Sequence, residues 1–141
     1  VQHHLGPDEP DQTEWVYSQR SMRYFHYWRD DLGVWNRIAV PFAAGSRPKL
    51  LMDRNDNAWL VFSGRHWLKN KSLRIAAATA AGRWTDWEVI YHDERQFTGE
   101  ALVDPYRWLQ EGVISVYIQQ QPKQKGEPSA LRIIDFRPAL K

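Results

Sequence analysis

Short apolar runs that alternate with polar residues fill this chain, and glycine, proline, asparagine or aspartate bound nearly all of them. A period of two predicts half-buried β-strands, and no segment longer than about eight residues keeps a helical period. The pattern predicts an all-β protein. A partial strand falls at 1–4, with strands near 22–28, 34–40, 48–53, 58–63, 73–79, 85–91, 100–104, 113–119 and 131–136.

The turns between these strands repeat. Asp31-Leu32-Gly33-Val34-Trp35 returns, altered, as Ala80-Ala81-Gly82-Arg83-Trp84, glycine over glycine and tryptophan over tryptophan at one 49-residue offset. The strands ahead of the two turns open Met22-Arg23 and Leu73-Arg74, and a third opens Leu131-Arg132. Self-similarity at this period marks a repeat array. With the strands of a four-stranded unit lettered a to d from centre to rim, the order reads b-c-d, a-b-c-d, a-b-c. That is about two and three-quarter blades of a β-propeller, with remnants at 1–40, 41–92 and 93–137 of one domain spanning 1–141. Propellers close with about four to eight blades, and open sheet edges invite mispairing. The expectation is therefore a fragment of a larger ring, completed by an absent N-terminal part on a second chain or a cleaved segment. Val1-Gln2-His3-His4 fits a start within a strand, since it resembles the end of a later b strand, Ile118-Gln119-Gln120-Gln121.

Loop lengths sort onto two faces in this scheme. The a–b and c–d turns read as tight: 30–33, 54–57, 80–83 and 108–112. The b–c and d–a connections read as long and polar, through 5–21, 41–47, 64–72, 92–99 and 120–130. Function usually rides on long loops held by a rigid scaffold, so the long-loop face is where a site is expected.

Composition narrows the classes. Of 141 residues 43% are hydrophobic and 13% aromatic, enough for a packed core. The absence of cysteine excludes a disulfide scaffold, a thiol nucleophile and a thiolate zinc site, while leaving the compartment open. A net charge of +2, from 19 basic and 17 acidic residues interspersed along the chain, does not resemble a nucleic-acid-binding tail. No apolar run approaches the roughly 20 residues of a membrane span, and no basic-then-apolar leader opens the chain. Neither nucleic acid nor membrane is expected as a partner. The eight tryptophans and six tyrosines suit strand packing or carbohydrate stacking. No Gly-x-Ser-x-Gly, phosphate-binding loop, dinucleotide fingerprint or His-Glu-x-x-His motif occurs.

Candidate chemistry gathers at few positions. Arg47-Pro48-Lys49-Leu50 stands where a d–a loop enters an innermost strand, which in a propeller lines the central channel, and its counterpart one blade later is Gly99-Glu100-Ala101-Leu102. A guanidinium presents a fixed fork of donors suited to a carboxylate, so Arg47 is the candidate for an acidic ligand; the alternative is a structural ion pair with Glu100. The loop Arg65-His66-Trp67-Leu68-Lys69 sets cations beside an aromatic on the same face. His3 and His4 are strand neighbours with side chains on opposite faces, so they cannot grip one ion, yet His4 can reach a central cavity. His26, within Tyr24-Phe25-His26-Tyr27-Trp28, reads as a packed, hydrogen-bonded histidine and His92 as an exposed one. Asp53-Arg54-Asn55-Asp56-Asn57 has oxygen spacing like the start of a calcium loop. Ala58 and Gly64 stand where glycine and glutamate are required, which leaves a hairpin turn. No metal ligands are assigned.

Asp31-x-Gly33-x-Trp35 resembles a degraded Asp-box, the turn of bacterial neuraminidase repeats, without the opening serine and one residue short. The other matching segments are Tyr24-Phe25-His26-Tyr27-Trp28-Arg29, Arg47-Pro48-Lys49-Leu50, Phe97 through Gly99-Glu100 to Val103-Asp104, and Ile133-Ile134-Asp135-Phe136. With them, nearly the whole chain resembles the C-terminal third of seven-bladed neuraminidase-repeat propellers. That family includes lyases of ulvan and of rhamnose–glucuronate linkages, and related α-L-rhamnosidases. The resemblance implies a secreted or periplasmic polysaccharide lyase cleaving an acidic glycan of rhamnose and uronic acid by β-elimination. An exo-α-L-rhamnosidase and a non-catalytic glycan-binding propeller are the alternatives. Of the residues present, the resemblance carries only Arg47 into the mechanism, as the carboxylate-facing catalytic cation or a subsite binder; His4, Arg65, His66 and Glu100 are expected to bind substrate from their places in the chain alone. The family's principal catalytic histidines lie in an N-terminal motif that this chain lacks. Any structural calcium or zinc belongs, on this reading, to the missing part, with no cofactor in this segment.

Overall fold

The computed structural model describes residues 2–4, as a backbone strand, together with 23–64 and 71–139. Among the described residues ten strands form: β1 Gln2–His4, β2 Arg23–Arg29, β3 Trp35–Ala43, β4 Lys49–Met52, β5 Ala58–Ser63, β6 Leu73–Ala78, β7 Glu88–Asp93, β8 Phe97–Val103, β9 Ile114–Gln120 and β10 Leu131–Phe136. They pair antiparallel into three sheets, β1-β2-β3, β4-β5-β6-β7 and β8-β9-β10. The described residues are all-β apart from one short helix, and their strands group three, four, three as the alternation predicts.

Two cores hold the sheets face to face. Trp59, Val61, Leu73, Ile75 and Ala77 of the middle sheet pack against Phe97, Ala101, Ile114, Val116, Ile118 and Ile134 of the third. From the other face of the same strands, Ala58, Leu60, Phe62, Ala76 and Ala78 meet Tyr24, Val40 and Ala44 of the first sheet and the loop after it. Because both faces of β5 are covered, its sequence is apolar from Ala58 to Phe62 instead of alternating. Strand β3 is covered on one face and alternates. Each sheet carries one irregularity of register, between Arg23 and Phe25, Ile75 and Ala76, and Thr98 and Leu102; in the third sheet Gly99 sits there at φ +76°.

Three expectations change. The stretch at 108–112 is no tight turn, because helix α1, Pro105–Glu111, fills the β8–β9 connection. Asp104 caps its first turn by accepting from the Tyr106 and Arg107 amides, Pro105 opens it, and Gly112 closes it at φ +65°. The 92–99 connection shrinks to 94–96, since β7 runs on to Asp93 and β8 begins at Phe97, whereas the 80–83 turn widens to 79–87. Loop length therefore does not distinguish the two ends of the sheets. The third change concerns the repeated turn, in which Asp30 and not Asp31 is the organising residue. Its Oδ1 accepts from the Leu32 and Val34 amides at 3.1 and 2.8 Å, and its Oδ2 from Asn36 Nδ2 at 3.1 Å. These bonds, led by the one from Val34, hold its carboxyl below the usual range. Asp53 repeats the arrangement, accepting from Asn55, Asn57 and the Trp59 indole. Burial alone pushes the Asp53 carboxyl up, but those bonds outweigh it and its pKa falls. An aspartate directly after a strand, at 30, 53 and 104, is thus the recurrent device of this end, and it accounts for Asp53-Arg54-Asn55-Asp56-Asn57 as a hairpin turn.

Candidate functional site

At the opposite end, the loop 44–48 joins the first sheet to the second and is fastened by a chain of hydrogen bonds. The fully buried Tyr24 accepts from the Gly45 amide at 2.8 Å and donates to the Ser46 carbonyl. The Ser46 amide donates to the Ser63 carbonyl at 2.7 Å, and the Ser63 amide returns to Ser46 Oγ at 3.1 Å. The two serine hydroxyls lie 2.9 Å apart, and Ser63 Oγ donates to the Gly99 carbonyl at 3.0 Å. Tyr24, Ser63 and Gly99 belong to β2, β5 and β8, so one polar thread crosses all three sheets. Buried polar groups are tolerated only when paired in this way.

The thread ends on Ser46 and Gly99, and the next residue on each side is charged. Arg47 Nη1 lies 3.5 Å from Glu100 Oε1, and Lys49 Nζ lies 3.7 Å from Oε2. Residues two apart on an extended chain share a face, which brings Lys49 to the same carboxylate as Arg47. The Arg47 side chain is 78% exposed and that of Glu100 38%. Both contacts exceed a close charge-assisted hydrogen bond, and exposed pairs of this kind contribute about 0–1 kcal/mol. Two cations therefore face one carboxylate that holds them weakly, and an incoming carboxylate can displace it at small cost.

Of the other expected site residues, His4 is placed in β1, opposite Arg23, with its side chain undescribed. Arg65 and His66 lie outside the described residues, as do Trp67, Lys69 and the loop through 5–21. The structure unites Arg47 with Glu100 and adds Lys49, which the sequence reading left unassigned although it stood in the same tetrapeptide. His26 is 4% exposed in an aromatic cage, its ring centroid 5.4 Å from Trp28 and Trp87 and 6.0 Å from Trp84. Burial lowers its pKa; it is packed as expected, but its buried Nδ1 has no hydrogen-bond partner among the described residues. His92 is exposed. Among the described residues no three His, Asp or Glu side chains gather in a group that could hold a metal ion. No protein-family model matches the chain, and no curated protein matches it.

Proposed function

We propose that the three sheets are successive blades of a β-propeller and that the chain belongs to a polysaccharide lyase-type enzyme acting on an acidic, rhamnose- and uronate-containing glycan. The alternation of faces supports the first half. In β6, Leu73 and Ile75 are fully buried against the third sheet; in β10, Leu131 and Ile133 hold the corresponding places and are 64% and 62% exposed. Leu102, paired with Tyr117 as Ile133 is, continues that apolar face at 55% exposure. A further sheet of the same kind fits there, as the third sheet fits the second.

The single observation that carries the function is the carboxylate of Glu100 held loosely between Arg47 and Lys49. In the reaction, a substrate uronate takes the position of that carboxylate. Neutralising its charge stabilises the carbanion-like transition state formed when the C5 proton leaves, and the C4 oxygen departs with proton assistance. The base that removes the proton is supplied by other blades. Such a polymer substrate suits a secreted or periplasmic protein.

Arg47→Ala in the complete protein is expected to lower turnover on acidic glycan by about tenfold or more, the scale of one charge-assisted contact in the transition state, with the melting temperature unchanged. Ultraviolet absorbance of the 4,5-unsaturated uronide product measures it. Glycan shortened without that chromophore identifies the rhamnosidase alternative, glycan bound but not shortened identifies the binding propeller, and unchanged kinetics remove Arg47 from the mechanism.

A further inference from the structure

The two repeated turns enclose a cleft at the end of the sheets away from Arg47. It has a volume of about 390 Å³ and is lined by Trp28, Arg29, Asp30 and Asp31 of one turn region and Arg83 and Trp84 of the other. That is the scale of a small-molecule site. Trp28 and Trp84 stand 6.1 Å apart at 67°, forming a two-walled aromatic corner. The corner is rigid: Trp84 Nε1 donates to the Asp56 carbonyl at 2.7 Å, and the buried His26 ring braces both indoles from behind.

Polar groups at the rim are unequally engaged. Arg29 Nε donates to the Gly33 carbonyl and Asp30 is saturated by the turn it organises. Asn36 spends its amide protons on Asp30 and Val34, which leaves its oxygen as an acceptor. Asp31 and Arg83 make no side-chain hydrogen bond among the described residues; the Arg83 amide donates to the Ala80 carbonyl at 2.9 Å and its charge helps to lower the Asp30 pKa. Arg83 and Trp84 also adopt φ +51° and +53°, the left-handed region that favours glycine or asparagine. Trp84 has packing and an indole bond to hold it there. The Arg83 side chain is exposed and makes no hydrogen bond among the described residues, its amide alone bonding to Ala80 within the turn, and strained residues of this kind concentrate at binding sites.

We infer that this cleft is a binding site for a neutral pyranose, separate from the carboxylate site at Arg47. Two arginines balance two aspartates around it, so the lining favours no net ligand charge. A sugar ring offers an apolar C–H face to an indole wall and a fringe of hydroxyls that both donate and accept, which suits a carboxylate, a guanidinium and an amide oxygen together. The inference rests on the cleft and not on the lyase reading.

The test is a titration of the complete protein with methyl α-L-rhamnopyranoside and methyl β-D-glucopyranoside, following the indole N–H resonances of Trp28 and Trp84 by NMR. At least one glycoside should shift both signals saturably in the millimolar range. Arg83→Asn, which suits the left-handed backbone, should weaken that binding roughly fivefold while the melting temperature holds or rises. A purely structural arginine would not separate those two readouts. Arg47→Ala should leave the titration unchanged. Indole signals unmoved by both glycosides, binding by Arg83→Asn equal to that of the parent, or loss of the response in Arg47→Ala would each overturn the assignment.

Discussion

Gly45→Ala is expected to destabilise the protein by about 3 kcal/mol or more, enough to leave a domain of ordinary stability largely unfolded on mild heating. The reason is space. A methyl group on Gly45 would overlap the Ser63 carbonyl oxygen, lie 2.9 Å from the Ser63 carbonyl carbon and 3.2 Å from the Phe62 ring. Backbone cannot swing aside as a long side chain can, so the loop must lift. Lifting it breaks the Ser46–Ser63 bond and withdraws the Gly45 amide from the hydroxyl of the fully buried Tyr24. Arg47 follows the loop, so any folded fraction should also lose the alignment of its cations. Gly99→Ala provides the contrast. No atom lies within 4 Å of the added methyl, and only the positive φ opposes it, a cost of about 1 kcal/mol. Thermal melts of the two variants side by side measure the difference, and equal losses would mean that close approach at Gly45 is not what anchors the loop.

Trp59→Ala should cost about 3–5 kcal/mol, the range for truncating a large aromatic in a packed core. Trp59 is fully buried and joins three elements. Its ring meets Trp108 of α1 and Phe136 of β10, each at 6.3 Å, while its indole N–H donates to Asp53 at 3.1 Å. Truncation opens a cavity between the second and third sheets and removes one of the donors that keep the Asp53 carboxyl low. Trp59→Phe keeps most of the packing and loses the donor, so its cost should fall to about 1–2 kcal/mol. Urea denaturation separates the two. A phenylalanine variant as unstable as the alanine one would move the weight from packing to the hydrogen bond.

The strands were legible because their signals are local. Alternation and turn residues place the ten described strands, and the Leu-Arg openings of β6 and β10 mark equivalent positions that differ in cover, Leu73 being fully buried and Leu131 64% exposed. Helix α1 escaped for want of length: seven residues make too few turns for a period to emerge, although Asp104, Pro105 and Gly112 are its punctuation and stand plainly in the sequence. In the repeated turn glycine and tryptophan align between the two copies, whereas the hydrogen bonds that shape its first copy belong to Asp30, one residue before the motif. Even the aligned tryptophans differ, Trp35 being 69% exposed and Trp84 packed against Trp28. Arg47 and Glu100 could be paired in advance, as corresponding positions of the segments that open the second and third sheets. The thread from Tyr24 through Ser46 and Ser63 to Gly99 could not, because its partners lie 17 to 36 residues apart and hydroxyl-bearing residues carry no periodic mark.

Light scattering on the purified chain tests most directly whether its free sheet faces are made to be covered. With Leu102, Leu131 and Ile133 presented on one side, the account predicts association into a multiple of the 16.7 kDa chain mass, reversed when further blades are supplied in the same sample. A folded, monodisperse 16.7 kDa monomer, with those leucine and isoleucine side chains standing in solvent, would contradict it.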